Sequence, residues 1–448
     1  MFTLTDDQTE ALKLLLEFIE SDDPFFCLSG YAGTGKTVLI SHLVGEIIRN
    51  TNLPCFLTAP TNKAVQVLNR TLRDYDVPMV MTATIHSFLG LVIKYKEDKQ
   101  ILRQGGKNKA PQYRIVFIDE CSMVSEDLWE YIELASKTWD TKFIFVGDPA
   151  QLPPVNETES LTFQVEKKFC LTKIVRQAEG NSIIGLATEI RNTIGTDYLV
   201  DITPYLAERG QPGVVARKSL VKLITKSFSS DPSRHEIDAF RVLSWTNKRV
   251  NHYNSMIRPL SLGYPPQKPF VAGESAITAG PIHSIVKETD KAGKPITRFK
   301  MVMNTDVEGK IISCEEGYHP WTEKEHPVWR VEFISSITNE QIVMHIPTSN
   351  GSWAINKELK RLSREAREAR DNDSADKGGK WQEYWGFKNM FVDLRPTHSI
   401  TVHRSQGSTF KNVFVDLDDI SRNKNRDEML QLCYVAITRA SHNVVLNR

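Results

Sequence analysis

The chain has 448 residues, of which 40% are apolar and 25% charged, and its formal net charge is +1. This length allows two to four domains of roughly 100 to 200 residues each, and the composition excludes a disordered or low-complexity protein. No run approaches the roughly 18 consecutive apolar residues of a membrane span, and the acidic, amphipathic N-terminus is unlike a signal peptide. The six cysteines form no CxxC pair, which argues against structural zinc and for reduced thiols.

The first third of the chain has the pattern of a parallel β-sheet with connecting helices. Four short apolar runs are typical of buried strands, at 25–28, 55–57, 115–118 and 143–146. Helix-length periodic segments at 38–49 and 63–72 lie between them, so the pattern is β-α-β and the strands should be parallel. Each run ends at a polar cluster, and ligand sites in open parallel sheets lie at those carboxyl ends.

The segment 30–37, Gly-Tyr-Ala-Gly-Thr-Gly-Lys-Thr, follows one of these predicted strands and opens a predicted helix. A phosphate-binding P-loop requires this context, because backbone N–H groups converge at a helix N-terminus, where partial positive charge favours an anion. Lys36 would bridge the β- and γ-phosphates, and Thr37 would ligate magnesium. The predicted cofactors are therefore ATP and Mg²⁺, and the predicted binding residues of the loop are Gly33, Thr34, Gly35, Lys36 and Thr37.

Two carboxylates and an amide follow the neighbouring predicted strands. Asp119 and Glu120 end the strand at 115–118, where Asp119 can hold Mg²⁺ and Glu120 can take the proton from attacking water. Most Asp-Glu pairs are solvated strand ends, but the preceding P-loop favours the catalytic interpretation. Gln151, in the proline-rich turn 147–154, is a neutral group able to respond to the γ-phosphate; taken alone, this turn would be only a stiffened connection.

The strand-helix pattern returns in the second half of the chain. A strand at 241–245 precedes a helix at 246–257, and further strands are predicted at 413–417 and 443–446. This predicts a second α/β lobe with an insertion. Within the insertion, short β-type runs between 270 and 345 with Gly and Pro turns predict a small all-β module. A basic helical segment at 357–370 and the aromatic residues Trp381, Tyr384, Trp385 and Phe387 follow it.

Nine motifs, in the correct order, resemble those of the superfamily 1 helicases, and within them the 5′-to-3′ group of RecD-like and phage Dda-like enzymes. They are Gln8 in 4–8, the P-loop, and the segments 59–64, 84–88, 118–123, 147–154, 171–177, 399–409 and 434–440. The resemblance implies an α/β protein with two RecA-like parallel-sheet P-loop lobes. It also implies an ATP-dependent DNA helicase that moves 5′-to-3′ on single-stranded DNA.

The same resemblance implies roles for individual residues. Gln8 would contact adenine, Gln151 would couple the γ-phosphate to the DNA path, and Gln406 and Gly407 would complete the nucleotide site. Arg176 and Arg439 would be arginine fingers, since a planar cation stabilises charge on the transferred phosphoryl group. Small polar groups suit phosphate contacts and ring side chains suit base stacking; the predicted nucleic-acid contacts are Pro60, Thr61, Asn62, His86, Ser87, Phe88, Asn247, His403 and Ser405.

Two insertions complete the predicted organisation. Between Lys94 and Arg114 there are seven Lys or Arg residues and two acids; such a run is ordinarily a solvated loop, but relatives carry a strand-separating β-hairpin at this place. The later insertion resembles an SH3-like β-barrel with a helical extension, and its aromatic residues would either pack in a core or contact the hairpin tip. The predicted divisions are 1–90 with 114–175 (first lobe), 91–113 (hairpin), 176–268 with 396–448 (second lobe) and 269–395 (barrel).

The sequence thus predicts a DNA helicase, with two alternatives left open. One is a translocase that strips bound proteins from single strands but separates duplex poorly, and the other is a P-loop kinase or non-motor ATPase. The expected partners are single-stranded DNA and forked or tailed duplex, with single-strand-binding, replication and recombination proteins as further candidates. We expect no membrane partner, an active monomer, and a cytoplasmic, nucleoid-associated location in a bacterial or phage-infected cell.

Overall fold

The computed structural model describes residues 4–51, 53–75, 77, 80–96, 99–174, 182–208, 210–229, 238–289, 295–303, 305–320, 322, 326–336, 338–372 and 377–447. The strands, in chain order, are β1 (Phe25–Gly30), β2 (Cys55–Ala59), β3 (Met81–Thr84), β4 (Leu91–Lys96), β5 (Lys99–Gln104), β6 (Ile115–Ile118), β7 (Lys142–Gly147), β8 (Lys168–Leu171), β9 (Gly213–Arg217), β10 (Phe240–Ser244), β11 (Ser275–Thr278), β12 (Ile282–Thr289), β13 (Pro295–Met303), β14 (Glu308–Tyr318), β15 (Pro327–Ser335), β16 (Gln341–Pro347), β17 (Leu394–Pro396), β18 (Ser399–Thr401), β19 (Phe410–Val415) and β20 (Ala440–Asn447).

The α-helices span Asp6–Glu20, Lys36–Asn50, Asn62–Asp74, Ile85–Phe88, Glu126–Trp139, Ser182–Thr193, Val221–Phe228, Asn247–Leu262, Ser349–Asp371, Lys377–Lys388, Leu417–Ile420 and Arg426–Thr438. Short 3₁₀ turns lie at Ala110–Gln112, Cys121–Met123, Leu161–Phe163, Thr203–Tyr205 and His403–Ser405. In the part of the chain that the structure describes, none of the helices is both long and apolar enough to cross a membrane.

A six-stranded parallel sheet forms the first lobe, in the order β3-β2-β6-β7-β1-β8. Its central strands β6 and β7 are buried along their whole length, as expected when helices cover both faces of a parallel sheet. The apolar face of the helix Lys36–Asn50 packs into this core through Leu39, Leu43 and Val44. The carboxyl ends of β1, β6 and β7 lie side by side, which brings the P-loop, Asp119 and the turn after Gly147 to one edge.

A second, five-stranded parallel sheet has the order β18-β10-β19-β20-β9. Its core includes Val214, Leu243 and Val444 together with residues of the helices Ser182–Thr193 and Arg426–Thr438. Ala150 and Leu152, from the turn after β7, are buried in the same apolar cluster. The two lobes are therefore in direct apolar contact. This α/β architecture with parallel sheets confirms the predicted fold class.

The insertion contains an antiparallel sheet in the order β16-β15-β14-β11-β17 and a separate β12-β13 hairpin. Phe333 and Val331 are fully buried in its core. Trp381 and Trp385 pack with Ala366 between the two helices of the insertion, which is the core-packing alternative for these aromatic residues. The SH3-like assignment stays a prediction.

The chain divides into two compact units. One contains both parallel sheets, and the other joins Ile93–Arg103 to Arg258–Thr397. The strands β4 and β5 pair with each other, and the tip of the basic segment thus belongs to the same unit as the antiparallel sheet. The four-part division of the chain stays a prediction.

Candidate nucleotide and nucleic-acid site

The P-loop connects β1 to the helix Lys36–Asn50 through two left-handed glycines. Gly33 and Gly35 have φ of 87° and 77°, a region that side chains with a Cβ rarely adopt. Lys36 extends back over the loop, where its ammonium donates to the carbonyl oxygens of Gly30 at 2.5 Å and Tyr31 at 3.1 Å. The cation is therefore held at the mouth of the loop, where an anion would compete for it.

Asp119 and Thr37 face each other across the sheet edge. The Thr37 hydroxyl lies 3.5 Å from Asp119 Oδ2, and the other carboxylate oxygen accepts a hydrogen bond from the Glu120 amide at 2.9 Å. Burial, followed by the charge of Glu120, raises the pKa of Asp119 to about 7. Glu120 itself has φ of 52°, a strained backbone conformation for a residue with a Cβ and one often found at functional positions. An oxygen-only cluster of this kind suits Mg²⁺.

Gln8 ties the first helix to the P-loop. It is fully buried, and its side-chain oxygen accepts from the Thr5 amide at 3.1 Å while its Nε2 donates to the Thr34 carbonyl at 3.0 Å. Thr5 caps the helix in return, which completes a capping box. Gln8 thus acts on the loop directly, besides any contact with adenine.

Gln151 lies in the turn after β7, with a buried side chain. Its Oε1 has no hydrogen-bond partner among the described residues, and a buried acceptor of this kind costs free energy unless something donates to it. This orphaned oxygen fits a group that senses bound phosphate through its water or metal shell.

The second lobe reaches the P-loop through the helix Arg426–Thr438. The Tyr434 hydroxyl donates to Asp148 Oδ2 at 2.6 Å and accepts from the Ala32 amide at 3.1 Å. Arg439 follows at the C-terminal end of this helix, buried, with its guanidinium donating to the carbonyls of Val435 and Ser408.

Two other predicted residues of the second lobe also face the first. Gln406 is buried and donates to the Leu152 carbonyl at 3.4 Å. A Cβ on Gly407, which has φ of 71°, would lie 3.2 Å from the Ala64 Cβ. Arg176 lies outside the described residues.

Seven of the nine predicted nucleic-acid contacts are exposed or partly exposed. Pro60, Thr61 and Asn62 are partly exposed at the end of β2, where Thr61 caps the helix Asn62–Asp74. Ser87 and Asn247 are exposed. His86 and His403 are partly exposed, and burial lowers the pKa of both, so each is a neutral ring suited to stacking.

Phe88 and Ser405 do not fit the prediction of a side-chain contact with a strand. The ring of Phe88 is fully buried against Phe56 and Tyr113, at centroid distances of 4.9 and 6.0 Å. The Ser405 hydroxyl is fully buried and donates to the Val402 carbonyl at 2.7 Å. Both side chains support the loops that carry their neighbours, because their positions in the motifs point into the core.

Three carboxylates and a tyrosine that hold these loops in place are not predicted from the sequence. Asp419 accepts from the amides of Trp245 and Thr246 at 2.9 and 2.7 Å, which fixes the turn before Asn247. Asp7 accepts from the Thr172 and Lys173 amides, which lower its pKa. Asp148 and Tyr434 join the lobes. Asp7, Asp148 and Tyr434 lie within or beside quoted motifs, but nothing in the sequence indicates their partners.

The two parallel sheets and the loop at 30–37 define a P-loop nucleoside-triphosphate-binding protein with two α/β lobes. A family model described as an AAA domain matches residues 3–199, and one described as a UvrD-like helicase C-terminal domain matches residues 396–447. The chain is 24% identical over 465 residues to the ATP-dependent DNA helicase dda of Enterobacteria phage T4, with 98% of each chain covered.

A second relative and a solved structure are also similar to this chain. The RecBCD enzyme subunit RecD of Buchnera aphidicola subsp. Schizaphis graminum is 30% identical over 214 residues, which are 43% of this chain and 34% of that protein. The crystal structure of Bacteroides Pif1 bound to single-stranded DNA shares the fold, with a TM-score of 0.52 at 16% identity over 99% of this chain and 92% of that one. The homologues of this chain include Dda, RecD and Pif1 proteins, which are superfamily 1B helicases.

Proposed function

We propose that this chain is an ATP-dependent DNA helicase that moves 5′-to-3′ along single-stranded DNA and separates duplex. The observation that carries the proposal is the direct contact of the second lobe with the phosphate-binding loop, through Tyr434 and Ala32. A motor needs such a contact, because chemistry in one lobe has to change the position of the other. The homologous Dda protein of phage T4 is named an ATP-dependent DNA helicase.

The nucleotide site is built by the first lobe. The P-loop amides and Lys36 would hold the β- and γ-phosphates, with Gln8 beside the loop and adenine. Thr37 and Asp119 would hold Mg²⁺, which fits their oxygen-only donor set. When bound, the metal supplies charge neutralisation at the phosphates. Glu120 would accept the proton of the attacking water, and Gln151 would respond to the γ-phosphate.

The second lobe would complete the site when the cleft closes around the nucleotide. Arg439 lies one residue beyond the helix Arg426–Thr438, five positions after the tyrosine that contacts the P-loop. Closure of the two lobes would carry its guanidinium toward the transferred phosphoryl group, where an arginine stabilises developing charge. Arg176, the other predicted arginine finger, would stabilise the same charge, and Gln406 and Gly407 would complete the nucleotide site. Hydrolysis would remove the bridging charge and reopen the cleft.

The strand would cross the carboxyl ends of both sheets. Pro60, Thr61, Asn62, His86 and Ser87 would contact it from the first lobe, and Asn247 and His403 from the second. The basic segment that contains β4 and β5 would act as the wedge at the duplex junction. A monomer would suffice for this cycle, because both walls of the cleft come from one chain. Single-strand-binding, replication and recombination proteins would be its partners at the nucleoid of a bacterial or phage-infected cell.

The test measures ATP hydrolysis with and without single-stranded DNA, together with unwinding of a forked duplex, for the wild type and Lys36→Ala. We expect DNA to raise wild-type hydrolysis steeply and the fork to open, while Lys36→Ala loses both activities and still binds the single strand. Hydrolysis that ignores DNA would favour the non-motor P-loop ATPase. Stimulated hydrolysis without fork opening would favour the translocase that displaces proteins.

A further inference from the structure

Two side chains of the second lobe, Tyr434 and Arg191, contact the tip of the P-loop. Ala32, at this tip, donates its amide proton to the Tyr434 hydroxyl at 3.1 Å. Next to it, the Arg191 guanidinium makes a cation-π contact with the Tyr31 ring, with its central carbon 3.6 Å from the ring centroid. Arg191 belongs to the helix Ser182–Thr193, which is packed in the second-lobe core. Side chains of the second lobe therefore contact both of these adjacent residues.

Tyr434 also holds the turn after β7. Its hydroxyl donates to Asp148 Oδ2 at 2.6 Å, and the other oxygen of Asp148 accepts from the Ala150 amide at 3.0 Å. Tyr434 and Asp148 are 1% and 0% exposed. A buried hydroxyl bonded to a buried carboxylate is a strong, directional contact. One second-lobe hydroxyl therefore joins the P-loop to the turn that carries Gln151.

Burial and the Asp148 charge raise the pKa of Tyr434, so its hydroxyl stays protonated at neutral pH and acts as a donor. The direction of both hydrogen bonds is then fixed: the amide of Ala32 donates to the hydroxyl, and the hydroxyl donates to Asp148. Each of these bonds joins Tyr434 of the second lobe to a residue of the first lobe. Any rotation of the second lobe has to stretch both bonds or carry the loop tip and the turn with it.

We propose that Tyr434 is a positioning residue that transmits movement of the second lobe to the P-loop tip and to the turn after β7, with Arg191 as its support on Tyr31. This inference rests on the proposed motor function and adds a route of coupling distinct from the arginine fingers. Tyr434 touches neither substrate nor reacting atoms in this scheme. Its loss should separate hydrolysis from movement.

The test compares Tyr434→Phe with Tyr253→Phe. Tyr253 is a matched control, because it is also buried in the second lobe and its hydroxyl donates to a buried carboxylate, Asp416, at 3.0 Å. Each variant loses one buried hydroxyl, but only Tyr434 reaches the first lobe. The readout is the number of base pairs unwound per ATP hydrolysed, alongside kcat and KM for ATP with saturating single-stranded DNA.

We expect Tyr434→Phe to lower the number of base pairs unwound per ATP hydrolysed, because the loss of the hydroxyl removes both hydrogen bonds that join the second lobe to Ala32 and Asp148. Its affinity for single-stranded DNA should stay at the wild-type value. Tyr253→Phe should keep the wild-type ratio. Equal ratios in all three proteins, or an equal loss in both variants, would overturn the proposal. If Tyr434→Phe fails to fold, Arg191→Gln tests the contact with the P-loop tip at a partly exposed residue. An unchanged number of base pairs unwound per ATP in Arg191→Gln would also overturn the proposal.

Failure of the proposed function looks different from failure of this inference. A wild-type protein that neither unwinds a fork nor responds to DNA would refute the motor itself. A wild-type motor whose ratio survives Tyr434→Phe would refute only the coupling route.

Discussion

Substitution of Gln8 by glutamate separates two roles of this buried side chain. Its oxygen accepts from the Thr5 amide, and its Nε2 donates to the Thr34 carbonyl at 3.0 Å. Glutamate keeps the first contact, since it is a favoured residue at this position of a capping box. It cannot make the second, because a carboxylate has no proton to donate and would face the Thr34 oxygen. The change therefore loosens the P-loop while the helix Asp6–Glu20 stays capped.

The cost follows from the burial of this contact. Leaving a buried carbonyl without its donor costs about 1 to 3 kcal/mol, and a tenfold rise in KM corresponds to about 1.4 kcal/mol. We expect Gln8→Glu to raise the KM for ATP and for GTP about tenfold each, because the loop holds phosphates common to both. An additional rise for ATP alone would measure the lost adenine contact.

Thr5→Ala is the matched control. It removes the other half of the capping box, in which the Gln8 amide donates to the Thr5 hydroxyl at 3.3 Å, and should cost about 1 kcal/mol of unfolding free energy. It leaves the bond to Thr34 intact, so the KM values should not change. Steady-state hydrolysis and thermal unfolding measure both effects. A Gln8→Glu protein with a lower Tm but with both KM values at the wild-type level would contradict this role of Gln8.

Three other predictions concern the catalytic groups and the insertion. Arg439→Ala should bind ATP normally but hydrolyse it about 10³-fold more slowly in a single turnover; normal turnover would remove the finger assignment. Glu120→Gln should likewise retain ATP binding and lose hydrolysis, and rapid hydrolysis would exclude a role as proton acceptor. Burial lowers the pKa of His319 to about 4. Between about pH 6.5 and pH 4, His319 is therefore protonated in the unfolded chain but not in the folded chain. The stability of the insertion should be complete above about pH 6.5 and decline toward pH 4; His319→Gln should flatten this decline in chemical denaturation, and an unchanged slope would contradict it.

The sequence predicts the elements that depend on local pattern. The strand β6 has the predicted bounds, and the helices Lys36–Asn50 and Asn62–Asp74 begin within two residues of their predictions, because apolar periodicity and capping residues are local signals. Strand β8 and the small strands β11 and β17 are not predicted, because segments of three or four residues are too short to show a pattern and form strands through pairing with distant segments.

The contacts between loops lie beyond sequence reasoning. Tyr434 and Asp148 are 286 residues apart in the chain, and the helix Arg426–Thr438 is buried on several faces, so no amphipathic pattern shows which face meets the first lobe. Phe88 is a residue for which the motif predicts a contact that the structure does not favour. Its motif suggested a base contact, but a phenyl ring gains more free energy from burial between Phe56 and Tyr113 than from exposure.

Unwinding of duplexes that carry a single-stranded tail tests the motor most directly. Two substrates with the same duplex are compared, one with a 5′ tail and one with a 3′ tail, at saturating ATP and with excess trap strand. We expect strand separation on the 5′-tailed substrate at a rate that depends on ATP hydrolysis, and no separation on the 3′-tailed one. Separation of the 3′-tailed duplex alone, or of neither, would contradict it.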